Sequence, residues 1–192
     1  MAGTTFLKEF KKGFERDLIV ALSQLGKEAI LDAYGQAGFQ NRTYNLHDSY
    51  ASAVYVGGVL VKDSVEYLGN PMSRKLDPVT KKNGRQTVDD YLERVSFGKK
   101  NNEIILIVVA AMFYAGILEA EWGATGSPFR SKNRSRKATG KADRIAVINP
   151  ARQYIKLHYD ETVASVYAKY GIKTKPKTRV VKGEKIKYAH KS

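Results

Sequence analysis

A continuous apolar run at residues 103–111 constrains the fold more than any other feature of this 192-residue chain. It reads Glu-Ile-Ile-Leu-Ile-Val-Val-Ala-Ala. A bilayer-spanning helix needs roughly 20 apolar residues, so this run is too short to cross a membrane. Its length suits a β-strand that is covered on both faces. The run therefore predicts the central strand of a small sheet.

Apolar side chains recur at helical spacing between residues 5 and 34 and predict a long amphipathic helix. Thr4 or Thr5 is predicted to cap its start, and Gly35 with Gly38 to end it. The predicted apolar stripe comprises Phe6, Phe10, Phe14, Leu18, Leu22, Leu25 and Ala29, with Leu7, Val20, Ala21 and Ile30 beside it.

Strand-type patterns follow this helix. Residues 50–56 are β-branched, aromatic or small, and a Gly57-Gly58 turn leads into residues 59–61, so a hairpin is predicted. Thr87 is predicted to cap a short helix over 88–94. A further strand is predicted at 145–148.

A second long helix is predicted to begin at Asn149-Pro150 and to end at Gly171. Together the elements predict an α+β fold in which the two long helices pack on a small, mainly antiparallel sheet. We expect one domain over residues 1–171, followed by a basic C-terminal arm at 172–192.

Cysteine usage and hydropathy exclude several classes of protein. The chain has no cysteine, which excludes disulfides, cysteine-ligated zinc and a thiol nucleophile. It begins without a signal-peptide pattern and contains no run of 18 apolar residues, so we expect synthesis in a reducing cytoplasm and no membrane partner.

The formal net charge of +14 is concentrated in three segments. Residues 72–85, 130–144 and 169–192 hold 5, 7 and 9 basic side chains, which is 21 of the 33 in the chain. The remainder carries a net charge of −4. Such segregation is typical of proteins that meet polyanions or acidic protein surfaces through extended arms. The alternative is that these charges only solvate exposed loops.

The basic loops at 72–85 and 130–144 and the arm are therefore candidate contact segments for a partner protein or DNA. Their candidate contact residues are Arg74, Lys75, Lys81, Lys82, Arg85, Arg130, Lys132, Arg134, Arg136, Lys137, Lys173, Lys175, Lys177 and Arg179.

No residue pattern indicates catalysis. The three histidines, His47, His158 and His190, lack the spacing of metal ligands. His47-Asp48-Ser49 has the residue types of a hydrolytic triad, but sequence neighbours on a strand point to opposite faces. No phosphate-binding loop or dinucleotide fingerprint occurs. We therefore predict a protein that is not an enzyme and uses no cofactor or metal.

Two short stretches carry the remaining functional information. The first, residues 41–50, reads Asn-Arg-Thr-Tyr-Asn-Leu-His-Asp-Ser-Tyr, and the second, residues 113–123, reads Phe-Tyr-Ala-Gly-Ile-Leu-Glu-Ala-Glu-Trp-Gly. Their signature positions are Arg42, Thr43, Asn45, Leu46, Ser49, Tyr114, Ala115, Glu119, Trp122 and Gly123. The first group is predicted to anchor the start of the first strand, with Leu46 in the core.

Together these stretches resemble the neck or tail-completion (head-tail joining) family of long-tailed bacteriophages. Its members typically show Arg-Thr-Gly-x-Leu-x-x-Ser before a strand and Tyr-Ala-x-x-x-Glu-x-Gly after a later one. Tyr44 replaces the usual glycine and His47 a common basic residue, so a different backbone is expected at Tyr44. The resemblance covers roughly residues 6–123 and implies a contact between Glu119 and Arg42 or a nearby amide.

What the resemblance implies is a structural subunit of a homo-oligomeric ring in the virion neck or upper tail, synthesised in the bacterial host cytoplasm. Its partners would be the neighbouring connector, portal-side and tail-tube proteins, with DNA in the lumen touched independently of sequence. Two alternatives stay open. One is a non-enzymatic nucleic-acid-binding protein that uses the basic segments, with Tyr167, Tyr170 and Tyr188 as stacking residues. The other is a hydrolase or nuclease that depends on Glu119.

Overall fold

The computed structural model of the protein describes residues 2–35, 44–73, 75–78, 80–95, 97, 103–112 and 147–173, except for the side chains of 2–6 and 149. The elements follow in the order α1 (Ala2–Gly35), α2 (Asn45–Asp48), β1 (Tyr50–Val56), β2 (Val59–Leu60), a 3-10 turn (Lys62–Ser64), β3 (Glu66–Tyr67), α3 (Gly84–Arg94), β4 (Ile104–Ala110) and α4 (Ile148–Lys169). The fold class is α+β, as predicted.

Strand β1 is the centre of the described sheet. It pairs antiparallel with β4 along its whole length, from Tyr50 opposite Ala110 to Val56 opposite Ile104. Its other edge pairs with β2 and β3, also antiparallel. Within the described residues β4 pairs with β1 alone and is mostly half-buried, so the central strand of the described sheet is β1 and not the apolar run that was predicted to be central.

The sheet is covered on both faces at β1. Tyr50 and Val54 point towards α1 and α4, while Ala51, Ala53 and Tyr55 pack against α3. This alternation follows from the two-residue period of a strand. Helices α1 and α4 also pack against each other, through Leu18, Leu22 and Leu25 of α1 and Val163 and Val166 of α4. The two long helices therefore form one layer on the sheet.

The predicted apolar stripe of α1 is buried from Leu18 to Ile30. Two apolar residues that were predicted to lie beside the stripe are exposed. The side chain of Leu7 is 65% exposed and that of Val20 is 61% exposed, so neither belongs to the core. The helix also begins at Ala2, which places Thr4 and Thr5 inside it and not at its cap.

Helix α1 approaches β1 closely where Gly26 faces Ser52. A Cβ at Gly26 would lie 2.5 Å from the Ser52 hydroxyl oxygen and 3.0 Å from Leu106, so only glycine allows this packing. The Ser52 hydroxyl is buried and has no hydrogen-bond partner in the described part of the chain.

Helices α3 and α4 begin at other residues, or with another cap, than predicted. Asn83, not Thr87, caps α3, through a capping box in which Asn83 Oδ1 accepts from the Gln86 amide at 2.9 Å and the Gln86 side chain accepts from the Asn83 amide at 3.0 Å. Thr87 instead donates its hydroxyl to the Asn83 carbonyl at 2.8 Å.

Helix α4 begins at Ile148, so the strand predicted over 145–148 is wrong at Val147 and Ile148, and its first two residues lie outside the described ranges. The predicted end at Gly171 is confirmed. Gly171 has a φ of 67°, and the amides of Gly171 and Ile172 donate to the carbonyls of Ala168 and Tyr167, as in a Schellman motif.

The Gly57-Gly58 hairpin turn is confirmed as well. Both glycines have positive φ, 57° and 82°, and they join β1 to β2 with Val56 opposite Val59. This is the two-residue turn that the twist of antiparallel strands favours.

Candidate functional site

The first stretch folds into a tight helical turn, α2, directly before the central strand. Tyr44 precedes it with a φ of 60° and a ψ of 4°, the left-handed conformation in which glycine is least strained. The neck family that the sequence resembles has glycine at this position. Tyr44 therefore adopts a backbone conformation that suits glycine, although its side chain is that of tyrosine. The Asp48 amide closes the turn on the Tyr44 carbonyl at 2.9 Å.

Asp48, the last residue of α2, holds the segment that follows β3. Its carboxylate accepts the Met72 amide at 2.8 Å, the Ser73 amide at 2.6 Å and the Ser73 hydroxyl at 2.5 Å. His47 Nδ1 lies 2.8 Å from its other oxygen. The Asp48 side chain is almost fully buried, at 1% exposure. A buried carboxylate that accepts several bonds is a strong anchor for loop backbone.

Asn45, at the first position of α2, adds two further bonds to the same segment. Its side-chain amide donates to the Lys75 carbonyl at 3.1 Å, and its Oδ1 accepts the Gly84 amide at 3.2 Å. A Cβ at Gly84 would lie 2.0 Å from the Asn45 carbonyl oxygen, so glycine is required where α3 begins. We call Asn45 and Asp48, with the backbone of residues 72, 73, 75 and 84 that they bind, the Asn45–Asp48 clamp.

The electrostatics of the clamp favour a charged Asp48. Burial raises the pKa of its carboxyl group, but the hydrogen bonds from the Ser73 hydroxyl, His47 and the Met72 and Ser73 amides together outweigh burial and hold the pKa below its ordinary value of 3.8. The clamp is therefore intact at neutral pH.

The structure brings together three of the ten signature residues. Asn45, Leu46 and Ser49 are all buried, and Leu46 lies in the core with Tyr50 and Leu68, as predicted. The Ser49 hydroxyl donates to the Leu46 carbonyl at 2.8 Å and so fixes the start of β1. The other signature positions, Arg42, Thr43, Tyr114, Ala115, Glu119, Trp122 and Gly123, lie outside the described residues, as does the expected contact of Glu119 with Arg42.

Sequence reasoning missed the most connected residue of the site, Asp48. Asp48 stands between a histidine and a serine in the sequence, and this order suggested a catalytic triad instead of an anchor for a loop. The signal that could have found it is an acidic residue at the end of a short turn, opposite a loop with free amides.

The segment predicted as a basic loop over 72–85 is fixed at several points by its own chain. It ends at Asn83, because Gly84 and Arg85 belong to α3. Asp77, the acidic residue of this segment, is buried and accepts the Thr80 amide at 2.8 Å, while the Asp77 carbonyl accepts the Lys81 amide at 2.9 Å. Lys81 has a φ of 56°, which this turn imposes.

The basic side chains of this segment divide into two groups. Lys75 and Lys81 are exposed. Lys82 pairs with Asp90, and Arg85 stacks over the Tyr67 ring at 3.4 Å and donates to the Gly69 carbonyl at 2.6 Å. Lys82 and Arg85 therefore make contacts within their own subunit, and Lys75 and Lys81 are the described positions best placed to meet a partner.

The remaining candidate contact residues are mostly outside the described ranges. Lys173 is described and exposed, whereas Arg74, Arg130, Lys132, Arg134, Arg136, Lys137, Lys175, Lys177 and Arg179 are not described. Lys169, the first basic residue of the C-terminal segment, binds Asp17 of α1 at 2.5 Å. Hydrogen bonds from Lys169 and the Tyr170 hydroxyl lower the pKa of Asp17 to about 2.

The histidine, aspartate and serine of α2 do not form a triad. A triad places the histidine between the carboxylate and the hydroxyl. Here the Asp48 carboxylate lies between His47 and Ser73, and the Ser49 hydroxyl donates to backbone. Among the described residues, no group of three histidine, aspartate or glutamate side chains is arranged to hold a metal ion.

Comparisons with known proteins identify no relative. No sequence model of a protein family matches the chain, and no curated protein or solved structure is significantly similar to it. Within the described helices, none is long and apolar enough to cross a membrane. The resemblance to the neck family remains a prediction from the two stretches.

Proposed function

We propose that the protein is a non-enzymatic structural subunit of a ring in the neck or upper tail of a long-tailed bacteriophage, where it joins the portal-side connector to the tail. The observation that carries the proposal is the Asn45–Asp48 clamp. Asn45 and Asp48, both within the first of the two stretches, are buried, and they bind loop backbone instead of facing an open pocket. Their work is to hold a loop in a defined place.

A ring subunit needs such a fixed loop. Head-to-tail contacts between copies close into a ring only when each copy presents the same geometry to the next. The clamp ties residues 72, 73 and 75 to the turn before the central strand, and the Asp77 turn presents Lys81 beyond it. Lys75 and Lys81 would then contact an acidic neighbour, because the body of the chain outside the three basic segments carries a net charge of −4.

The proposal is tested by assembly. The purified full chain is examined by mass photometry and electron microscopy, alone and after co-expression with the products of the genes that flank its own. We expect a monomer or weak oligomer alone and closed rings of uniform diameter with a partner. A chain that remains monomeric with every flanking gene product would refute the proposal.

A second candidate is a nucleic-acid-binding protein, favoured by the exposed Lys75 and Lys81 on a fixed loop and by a sequence pI near 9.8. Fluorescence anisotropy of a labelled DNA duplex across a salt series separates the two. Binding of nucleic acid by an isolated monomer, with an affinity that falls with salt by a slope of about 0.9 per phosphate neutralised, would favour this candidate. In that case the double variant Lys75→Glu with Lys81→Glu should bind nucleic acid more weakly. Lys62→Glu, on the 3-10 turn, is the control and should bind as the wild-type chain does.

A further inference from the structure

A groove of about 680 Å³ runs along α1, between this helix and the segment from β2 to β3. Its floor includes the apolar side chains of Ile19, Val20 and Val61. Val20 is 61% exposed although it lies in the middle of the chain's longest helix. An apolar side chain left open in a groove is a typical feature of a docking surface.

The α1 wall of the groove is cationic. Lys8, Lys11, Lys12 and Arg16 line it, and Lys8, Lys12, Arg16 and Val20 follow one another at four-residue spacing along one face of the helix. Lys8 and Lys12 are exposed. From Lys8 to Gln24 the lined part of the helix is about 24 Å long, at roughly 1.5 Å per residue.

Three carboxylates also line the groove, and Arg16 binds Asp17 at 3.2 Å, which leaves Lys8 and Lys12 as the exposed cations of the wall that the proposal uses. Glu66 on the opposite side is bound by Lys27 at 3.0 Å. Asp63 also lies on the opposite side, on the 3-10 turn, and Glu15 is half-buried on α1. A ligand that lies along α1 therefore meets cations on one side and apolar side chains beneath.

The same chain carries a surface of complementary character on α4. Leu157 is 79% exposed, the largest exposed fraction among the large apolar side chains of the described residues. Asp160 and Glu161, one turn further on, are exposed, and so are Ala164 and Ala168 on the same side of the helix, with the exposed Lys156 at the edge of this face. This acidic and apolar face is about 16 Å long by the rise of a helix, which is shorter than the groove.

We propose that the groove binds the α4 face of a second copy of this chain, with Leu157 on the apolar floor and Asp160 and Glu161 against Lys8 and Lys12. The two surfaces are different parts of one molecule, so the contact is heterologous and repeats from copy to copy. This inference rests on the proposed ring function and names the surfaces through which neighbouring copies meet. The basic arm is not the occupant, because its charge has the same sign as the α1 wall.

The test uses two charge-reversal variants of the full chain. One carries Lys8→Glu with Lys12→Glu, and the other carries Asp160→Lys with Glu161→Lys; all four positions are exposed, and circular dichroism checks that both variants fold. Sedimentation velocity over a concentration series measures self-association. We expect each variant to associate at least about tenfold more weakly than the wild-type chain, as reversal of close charge pairs does at other interfaces.

Mixing the two variants gives the decisive result. The first retains its α4 face and the second retains its groove, and the reversed groove of the first is complementary in charge to the reversed face of the second, so a one-to-one mixture is expected to associate although neither variant does so alone. Arg94→Glu, at an exposed position on α3 that belongs to neither surface, is the control and should self-associate as the wild-type chain does.

Three outcomes would overturn the inference. Unchanged association in both variants would show that copies meet elsewhere; closed rings of such variants would leave the proposed function standing. A mixture that stays monomeric while the wild-type chain associates would exclude this pair of surfaces. A wild-type chain that stays monomeric but binds a soluble acidic amphipathic peptide through Lys8 and Lys12 would assign the groove to a different protein.

Discussion

The carboxylate of Asp48 accepts both the amide and the hydroxyl of Ser73, at 2.6 and 2.5 Å, across 25 residues of chain. This pair fixes the segment after β3 to the turn before β1. A partner surface next to Ser73 depends on this pair, because the bonds set the position of the Ser73 backbone.

Asp48→Asn is expected to release this segment. An amide keeps one acceptor but loses the charge, so the bonds to Met72 and Ser73 weaken, and the free energy of unfolding should fall by about 2 kcal/mol. Urea unfolding measures the change, and hydrogen exchange of the Met72 and Ser73 amides should become faster. Asp63→Asn, an exposed carboxylate on the 3-10 turn, is the control. Unaltered exchange at residues 72 and 73 would contradict the clamp.

The same pair predicts a dependence on acid. The pKa of Asp48 is lower in the folded state than its ordinary value of 3.8, so its contribution to stability is present above that value and is lost as the pH falls through the folded value. The unfolding free energy of the wild-type chain should therefore fall more steeply below about pH 4 than that of Asp48→Asn. Parallel pH profiles for the two proteins would show that Asp48 does not carry this linkage.

Lys81→Gly is expected to stabilise the protein. Lys81 has a φ of 56° and an exposed side chain, so glycine removes backbone strain and costs little contact. The gain is up to about 1 kcal/mol, after the greater entropy of glycine in the unfolded chain. Lys75→Gly is the matched control, since Lys75 is exposed in the same segment without a positive φ, and it should destabilise. Thermal unfolding of both variants decides the sign, and a loss of stability in Lys81→Gly would contradict the assigned turn.

Gly84→Ala is expected to destabilise the protein by about 1 to 3 kcal/mol. The new Cβ would lie 2.0 Å from the Asn45 carbonyl oxygen, so α2 and α3 must move apart. Gly35→Ala is the control, because a Cβ at the end of α1 meets nothing within 4 Å. Equal melting temperatures for Gly84→Ala and the wild-type chain would show that the two helices do not approach so closely.

Tyr55→Phe tests the packing of α3 on the sheet. The buried Tyr55 hydroxyl donates to the Leu92 carbonyl at 2.7 Å, and its loss should cost about 1 kcal/mol at neutral pH. Burial, with a smaller effect of Tyr91, raises the pKa of Tyr55 to about 12. Between pH 10 and 12 the unfolded phenol ionises while the folded one stays neutral, so stability falls as the pH rises.

The measurement for this prediction is the unfolding free energy from urea titrations at neutral and alkaline pH. Tyr55→Phe should show a smaller alkaline loss than the wild-type chain. Tyr44→Phe, at a half-buried tyrosine outside this cluster, should keep the wild-type loss. If Tyr55→Phe lost as much unfolding free energy at alkaline pH as the wild-type chain does, the loss would come from other groups.

Local patterns in the sequence determined the element types and several boundaries. The 3.6-residue period of α1, the Gly57-Gly58 turn and the Gly171 helix end all depend on neighbours within a few positions, and the structure confirms each of them. Burial of Leu46 was predicted in the same way, since an apolar side chain just before a buried strand is expected to pack in the core.

Only the tertiary structure decided which strand is central and which polar residue holds the site. An apolar run shows that a strand is partly covered but not how many partners it has, so β1 and not β4 is the middle strand of the described sheet. Asp48 bonds to amides 24 and 25 residues away, and Leu7 and Val20 are exposed although their apolar character predicted a place beside the buried stripe of α1. Contacts between distant segments leave no periodic pattern in the sequence, so only the folded structure shows them.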